Sequence, residues 1–230
     1  MLTVGIVDDG IGFVPTLTKL RQVVSAHFIC MVDSGLFPLG NCNSAQLMTV
    51  GSHALAKLTE LGCDAVVFSS VALSSRCLRP LTFAHPDATI FGCDAPVLHA
   101  STYTASRVLV VGDRFAVGSI TLSGIIPVPM PDFPTIAESG DERDVVRYIS
   151  ECCEPFYGQF DCIALANSSM NVYKHCFSRV FPNVHIFDSL EGVARKIRKK
   201  YRKFSKDDSF VNVIDANGAD ISEKYSIFLD

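Results

Sequence analysis

The chain has 230 residues, 48% of them hydrophobic and 19% charged, with a formal net charge of −4 and nine cysteines. This length and apolar content suit one large domain or two small ones with proper cores, and they exclude a disordered or low-complexity chain. The apolar runs stay well short of the roughly 20 residues a membrane span needs.

Strand-like runs alternate with amphipathic ones from the start. The first, 2–7 (LTVGIV), leads into a helical pattern at 14–24, followed by a run at 27–32 (HFICMV) and a helix at 44–61 capped by Asn43-Ser44. Next come strands at 64–68 (DAVVF), 88–93 (ATIFGC), 107–111 (RVLVV) and 125–129 (IIPVP). The proline-rich 127–134 reads as a loop, because regular elements resume after it. A helix at 141–153 precedes a strand at 161–166 (DCIALA), a helix at 171–180 and a strand at 183–187 (NVHIF). A helix at 189–203, introduced by Asp188-Ser189, a strand at 209–214 and a helical pattern at 219–228 close the chain. Several strands are apolar on both faces, as strands covered by helices on both sides must be. Strand–helix alternation of this kind predicts a parallel α/β architecture.

Segments 64–94 and 161–188 share an order: Asp, apolar strand, small polar cluster, helix, Pro, apolar strand, Asp. The repeat predicts two similar flavodoxin-like lobes with mainly parallel sheets, related by a pseudo-twofold duplication. The first would span 1–93 plus 205–230 and the second 94–204, with the final strand returning to the first. Ligands of such sheets sit beyond the carboxyl ends of the strands, so the polar clusters are expected to face one cleft from opposite sides.

Five polar segments follow strands or open helices: 7–12 (VDDGIG), 32–40 (VDSGLFPLG), 68–75 (FSSVALSS), 166–171 (ANSSMN) and 111–119 (VGDRFAVGS). Gly10 and Gly12 predict a tight turn whose backbone N–H groups could hold a carboxylate or phosphate. The thiols lack a CxxC pair, and without a secretory lead-in they are expected as buried apolar groups in a reducing cytoplasm. The six histidines show no HxxxH spacing, so no metal site is expected. Residues 195–206 hold eight Lys or Arg and no acid, leaving −12 on the rest of the chain. A solvated helix face explains this stretch better than a nucleic-acid contact, since only Tyr201 and Phe204 interleave with the cations.

These segments together resemble the glutamate racemases of the aspartate/glutamate racemase superfamily. The family's FDSGxGG turn is similar to Val7-Asp8-Asp9-Gly10-Ile11-Gly12-Phe13, and its GDxxxxPYG to Val32-Asp33 through Pro38-Leu39-Gly40. Its ACNTAS resembles 68–73, its GTxAT Gly112 through Ala116, and its GCTHYP 166–171. The resemblance implies a two-lobed fold, no cofactor, a small amino acid or carboxylate as ligand, and pairing as a homodimer. It implies catalytic positions at Asp8, Ser69 and Asn167. Substrate-binding positions would be Asp9, Pro38, Leu39, Gly40, Ser70, Val71, Ser168 and Ser169.

The departures bear on activity. Family racemases use two cysteines, one on each side of the α-carbon, and these align with Ser69 and Asn167. A serine hydroxyl is a poor base without a partner, and an amide does not titrate. Asp9 replaces a serine that meets the bound amino acid, and a second carboxylate beside Asp8 should repel a dicarboxylate unless a proton or cation intervenes. Among the other thiols, Cys93 beside Asp94 is the best candidate for a one-sided proton transfer. The sequence reading is therefore a racemase-like protein without two-base racemisation. The alternatives are an active racemase or related lyase, and a binding module acting through 195–206.

Overall fold

A computed structural model describes residues 1–103, 107–118, 120–201 and 210–228. Its strands are β1 (Thr3–Asp8), β2 (His27–Val32), β3 (Ala65–Phe68), β4 (Ile90–Gly92), β5 (Val108–Gly112), β6 (Ile125–Pro129), β7 (Cys162–Ala166), β8 (His185–Phe187) and β9 (Val211–Asp215). All nine coincide with apolar runs of the sequence. The helices are α1 (Phe13–Arg21), α2 (Ser44–Glu60), α3 (Val71–Ala84), α4 (Val97–Tyr103), α5 (Arg114–Gly118), α6 (Phe133–Ser139), α7 (Glu142–Cys153), α8 (Ser168–Val172), α9 (Lys174–Val180) and α10 (Leu190–Lys200).

Two parallel sheets form, in the orders β4-β3-β1-β2-β9 and β6-β5-β7-β8. Read from the opposite edge, the second order repeats the first four strands of the first, with β5 to β8 in the places of β1 to β4. The added strand β9 pairs parallel with β2. The registers carry the correspondence down to single residues at the strand ends. Val7 pairs with Phe68 and Gly112 with Ala166, each the last pair of its ladder. By that register Asp8 corresponds to Asp113, and Ser69 to Asn167.

Helices cover both faces of each sheet, which is why the strands are apolar throughout. Leu47, Leu55, Leu58 and Leu73 fill the outer face of the first sheet, and Val97, Val117 and Ala164 that of the second. Between the sheets lies one continuous core, from Phe13, Leu17 and Leu20 on α1 to Phe133 and Phe177 on α6 and α9.

Some elements differ from expectation. Residues 219–228 do not form an α-helix: Ser222–Phe228 is a 3₁₀ helix, preceded by an Asx turn at Asp220, which accepts from Ser222 N. The expected helix at 171–180 is two short ones, α8 and α9, meeting at Tyr173. The loop read at 127–134 shrinks to three residues, because β6 includes Pro127 and Pro129 and α6 has Pro134 in its first turn, where no N–H is needed. An edge strand tolerates those prolines. Residues 202–206 of the basic stretch, Ser209 and the expected boundary near 205 lie outside the described residues.

Candidate functional site

The carboxyl ends of β1, β3, β5 and β7 meet where the two sheets face each other, and the polar segments converge there. They converge so closely that they touch. Ser168 Oγ, from the second sheet, donates to Asp8 Oδ1, from the first, at 3.1 Å. Glu138 on α6 accepts from Ile11 N at 2.6 Å. The Arg76 guanidinium of α3 lies 3.1 Å from the ring centroid of Phe115 on α5. A Cβ placed on Gly40 would come within 2.5 Å of Asp113 Cβ, and one on Gly12 within 2.4 Å of Ser168 Oγ. Gly12 has φ −59°, an ordinary helical value. It is needed for close approach between lobes, rather than for the conformational freedom expected from the sequence.

The expected anion-binding N–H groups are present but engaged by the chain's own carboxylates. Ile11 N is held by Glu138, and Leu39 N by Asp9 Oδ2 at 2.7 Å. Pro38, which follows a cis peptide bond, sits in the same loop, and Leu39 is buried.

Ser69 and Asn167 are held by different partners. Ser69 is 1% exposed; its hydroxyl donates to Gly12 O at 3.1 Å and lies 2.8 Å from Thr16 Oγ1. Asn167 is half-buried and caps α8, its Oδ1 accepting from Ser169 N at 2.9 Å and Ser169 Oγ at 2.7 Å. Ser70 caps α3 by accepting from Leu73 N, and Val71 packs in the core as the first residue of that helix.

The electrostatics are those of crowded acids. Asp8 is 1% exposed, and burial together with Asp9 alongside holds its carboxyl well above the usual range. Asp9 is raised by burial as well, with the hydrogen bonds from Asp8 and Leu39 N opposing. No donor among the described residues reaches Asp8 Oδ2, and both burial and the neighbouring Asp9 favour the protonated form of Asp8. Asp113, 4% exposed, is raised by burial despite bonds from Phe115 N and Ala116 N, and its Oδ2 likewise meets no donor. Glu138 is raised by burial, with Lys224 opposing. Asp9 adds a repulsive contribution at both Asp113 and Glu138.

Sequence reasoning misses Asp113 as a site residue and Glu138 altogether. Asp113 was findable, because it follows β5 as Asp8 ends β1. Glu138 carried no local signal, since its place depends on how α6 docks across the lobes. Cys93, the outsider thiol, is buried beside Thr16 at 4.0 Å, and burial pushes it up to about 12. It stays a thiol and is no base at neutral pH.

The chain is similar in sequence to glutamate racemases. It is 22% identical over 219 residues to a glutamate racemase of Lachnospira eligens, covering 88% of this chain and 83% of that one. With a glutamate racemase of Campylobacter curvus it shares 23% over 218 residues, covering 85% and 82%. No family model matches the chain. Among solved structures, a Campylobacter jejuni glutamate racemase superposes with a TM-score of 0.83 at 14% identity, covering 99% and 96% of the two chains. One from Thermus thermophilus, in complex with β-chloro-D-alanine, gives 0.76 at 19%, covering 93% and 86%. Two parallel α/β sheets in matching strand order, meeting at their carboxyl ends, thus make the fold of the two-lobed racemases. The chain is thus similar to glutamate racemases in sequence over most of its length, and it has their fold.

Proposed function

We propose that this protein keeps the racemase scaffold but does not interconvert amino-acid enantiomers by a two-base mechanism. One observation carries the reading: the two positions that resemble the family's catalytic cysteines hold a hydroxyl and an amide, the hydroxyl donating to Gly12 O and the amide oxygen capping α8. The Ser69 proton goes to the carbonyl of Gly12, and its carboxyl neighbour Asp8 is shifted towards the protonated form, which makes it a poor acceptor for a serine proton. The amide of Asn167 has no proton-transfer role near neutral pH.

The division into lobes 1–93 plus 205–230 and 94–204 is part of the same proposal, as is a small molecule binding between them. Such a molecule enters only if the lobes part, and it then meets Asp8, Asp9, Asp113 and Glu138. An amino group suits those walls better than a second carboxylate does. A partner-binding role for α10 has less support. Lys196 pairs with Asp94 at 3.1 Å, and Lys200 donates to Thr89 of the first lobe at 2.8 Å, so part of the basic face is already engaged within the chain.

The test is isotope exchange. The protein is incubated with the L- and D-forms of glutamate, aspartate and alanine in deuterated water, and the amino acids are weighed by mass spectrometry. No α-deuterium above the protein-free control is expected. Deuterium entering either enantiomer at a catalytic rate would overturn the proposal.

A further inference from the structure

Away from the lobe interface, Glu142 in the first turn of α7 meets His175 and Cys176 in the first turn of α9. His175 Nε2 lies 2.9 Å from Glu142 Oε1 and 3.4 Å from Cys176 Sγ. The three donor atoms lie within 4.8 Å of one another, and no other group of three such donors does so among the described residues. In a tetrahedral zinc site with bonds of about 2.0–2.3 Å, neighbouring donors stand roughly 3.3–3.8 Å apart. Two of the separations already lie near that range, and Glu142 and His175 are exposed and free to adjust.

We propose that Glu142, His175 and Cys176 bind a zinc-class divalent cation. An imidazole, a thiol and a carboxylate form the mixed donor set that a borderline-soft ion takes, whereas magnesium and calcium favour oxygen alone. Binding replaces the thiol proton, which leaves to solvent, by a sulfur–metal bond. Arg179 does not fill the place. Its Nη2 contacts Glu142 through the other oxygen, Oε2, at 3.3 Å, which leaves Oε1 turned towards His175. Its approach to Cys176 Sγ is longer, 3.8 Å, and the guanidinium is more than half exposed, so it can swing aside without disturbing packing. The opposing explanation is an ion-pair cluster of Glu142 with His175 and Arg179, in which Cys176 is merely a buried neighbour.

Cobalt(II) titration of the whole reduced protein separates the two. The zinc site predicts a sulfur-to-cobalt charge-transfer band that saturates at one equivalent and is bleached by zinc. Cys176→Ser should abolish the band. His175→Gln and Glu142→Gln, both at exposed positions that leave the core intact, should each weaken binding by roughly tenfold to a hundredfold or more. Absence of the band, or a band that survives Cys176→Ser or is unmoved by both exposed-position variants, would overturn the assignment and leave the ion-pair cluster.

Discussion

Ser69 and Asn167 hold corresponding places at the ends of β3 and β7, yet the two lobes use them in opposite ways. The first is buried and donates to Gly12 O, in the neighbouring loop that follows β1. The second is only partly buried, and spends its oxygen on the first turn of α8. Asp8 and Asp113 make the converse comparison. They correspond by register too, and both end buried with one oxygen hydrogen-bonded and the other without a donor. Shared topology thus fixes where a side chain starts, while its local partners decide whether it can face a ligand.

The largest expected effect is that of pH on stability, because four carboxyls at this junction are raised together. A raised folded pKa means the native state binds more protons than the unfolded chain. The associated stability is complete below the unfolded value near 4 and is lost as pH rises towards the folded values. Each tenfold difference in proton affinity between the folded and unfolded states contributes about 1.4 kcal/mol. Urea unfolding should therefore give a lower midpoint at pH 8 than at pH 5. Asp8→Asn, which is neutral at both pH values and can keep the bonds from Asp9 N and Ser168, should flatten that slope. A midpoint that rises with pH would contradict the upward shift of these carboxyls.

Gly12→Ala comes next. The added methyl meets Ser168 Oγ at 2.4 Å and Ser168 Cβ at 2.5 Å, so the lobes must separate, at a cost of about 3 kcal/mol by denaturant titration. Unchanged stability would mean the lobes part easily. The comparison itself is sharpened by Ser69→Ala against Asn167→Ala. Removing the buried hydroxyl loses its contacts with Gly12 O and Thr16 Oγ1 and should cost about 2 kcal/mol, whereas losing the cap of α8 should cost about 1 kcal/mol. Equal costs would say that the two positions are used alike after all.

Much of the fold was legible because its signals are local and repeated. All nine strands lie on apolar runs, and the duplicated phrases at 64–94 and 161–188 anticipate two sheets with the same strand order. Ends governed by backbone geometry were harder: the pattern at 219–228 has helical spacing but folds as a 3₁₀ helix. At the candidate site, Asp8, Asp9 and Ser168 could be picked out by their positions at strand ends. Glu138 could not, because it reaches Ile11 across 127 residues of chain. Nor could the grouping of Glu142 with His175 and Cys176, which exists only once α7 packs on α9.

The central claim is that the site has been rebuilt, so that more than two sulfurs separates it from a racemase. It is tested most directly by the double variant Ser69→Cys with Asn167→Cys, incubated with glutamate in deuterated water. With Asp9 and Glu138 still occupying the backbone donors at Leu39 and Ile11, the account predicts no α-deuterium uptake by the folded variant. Uptake into both enantiomers would contradict it, and would mean that only the thiols were missing.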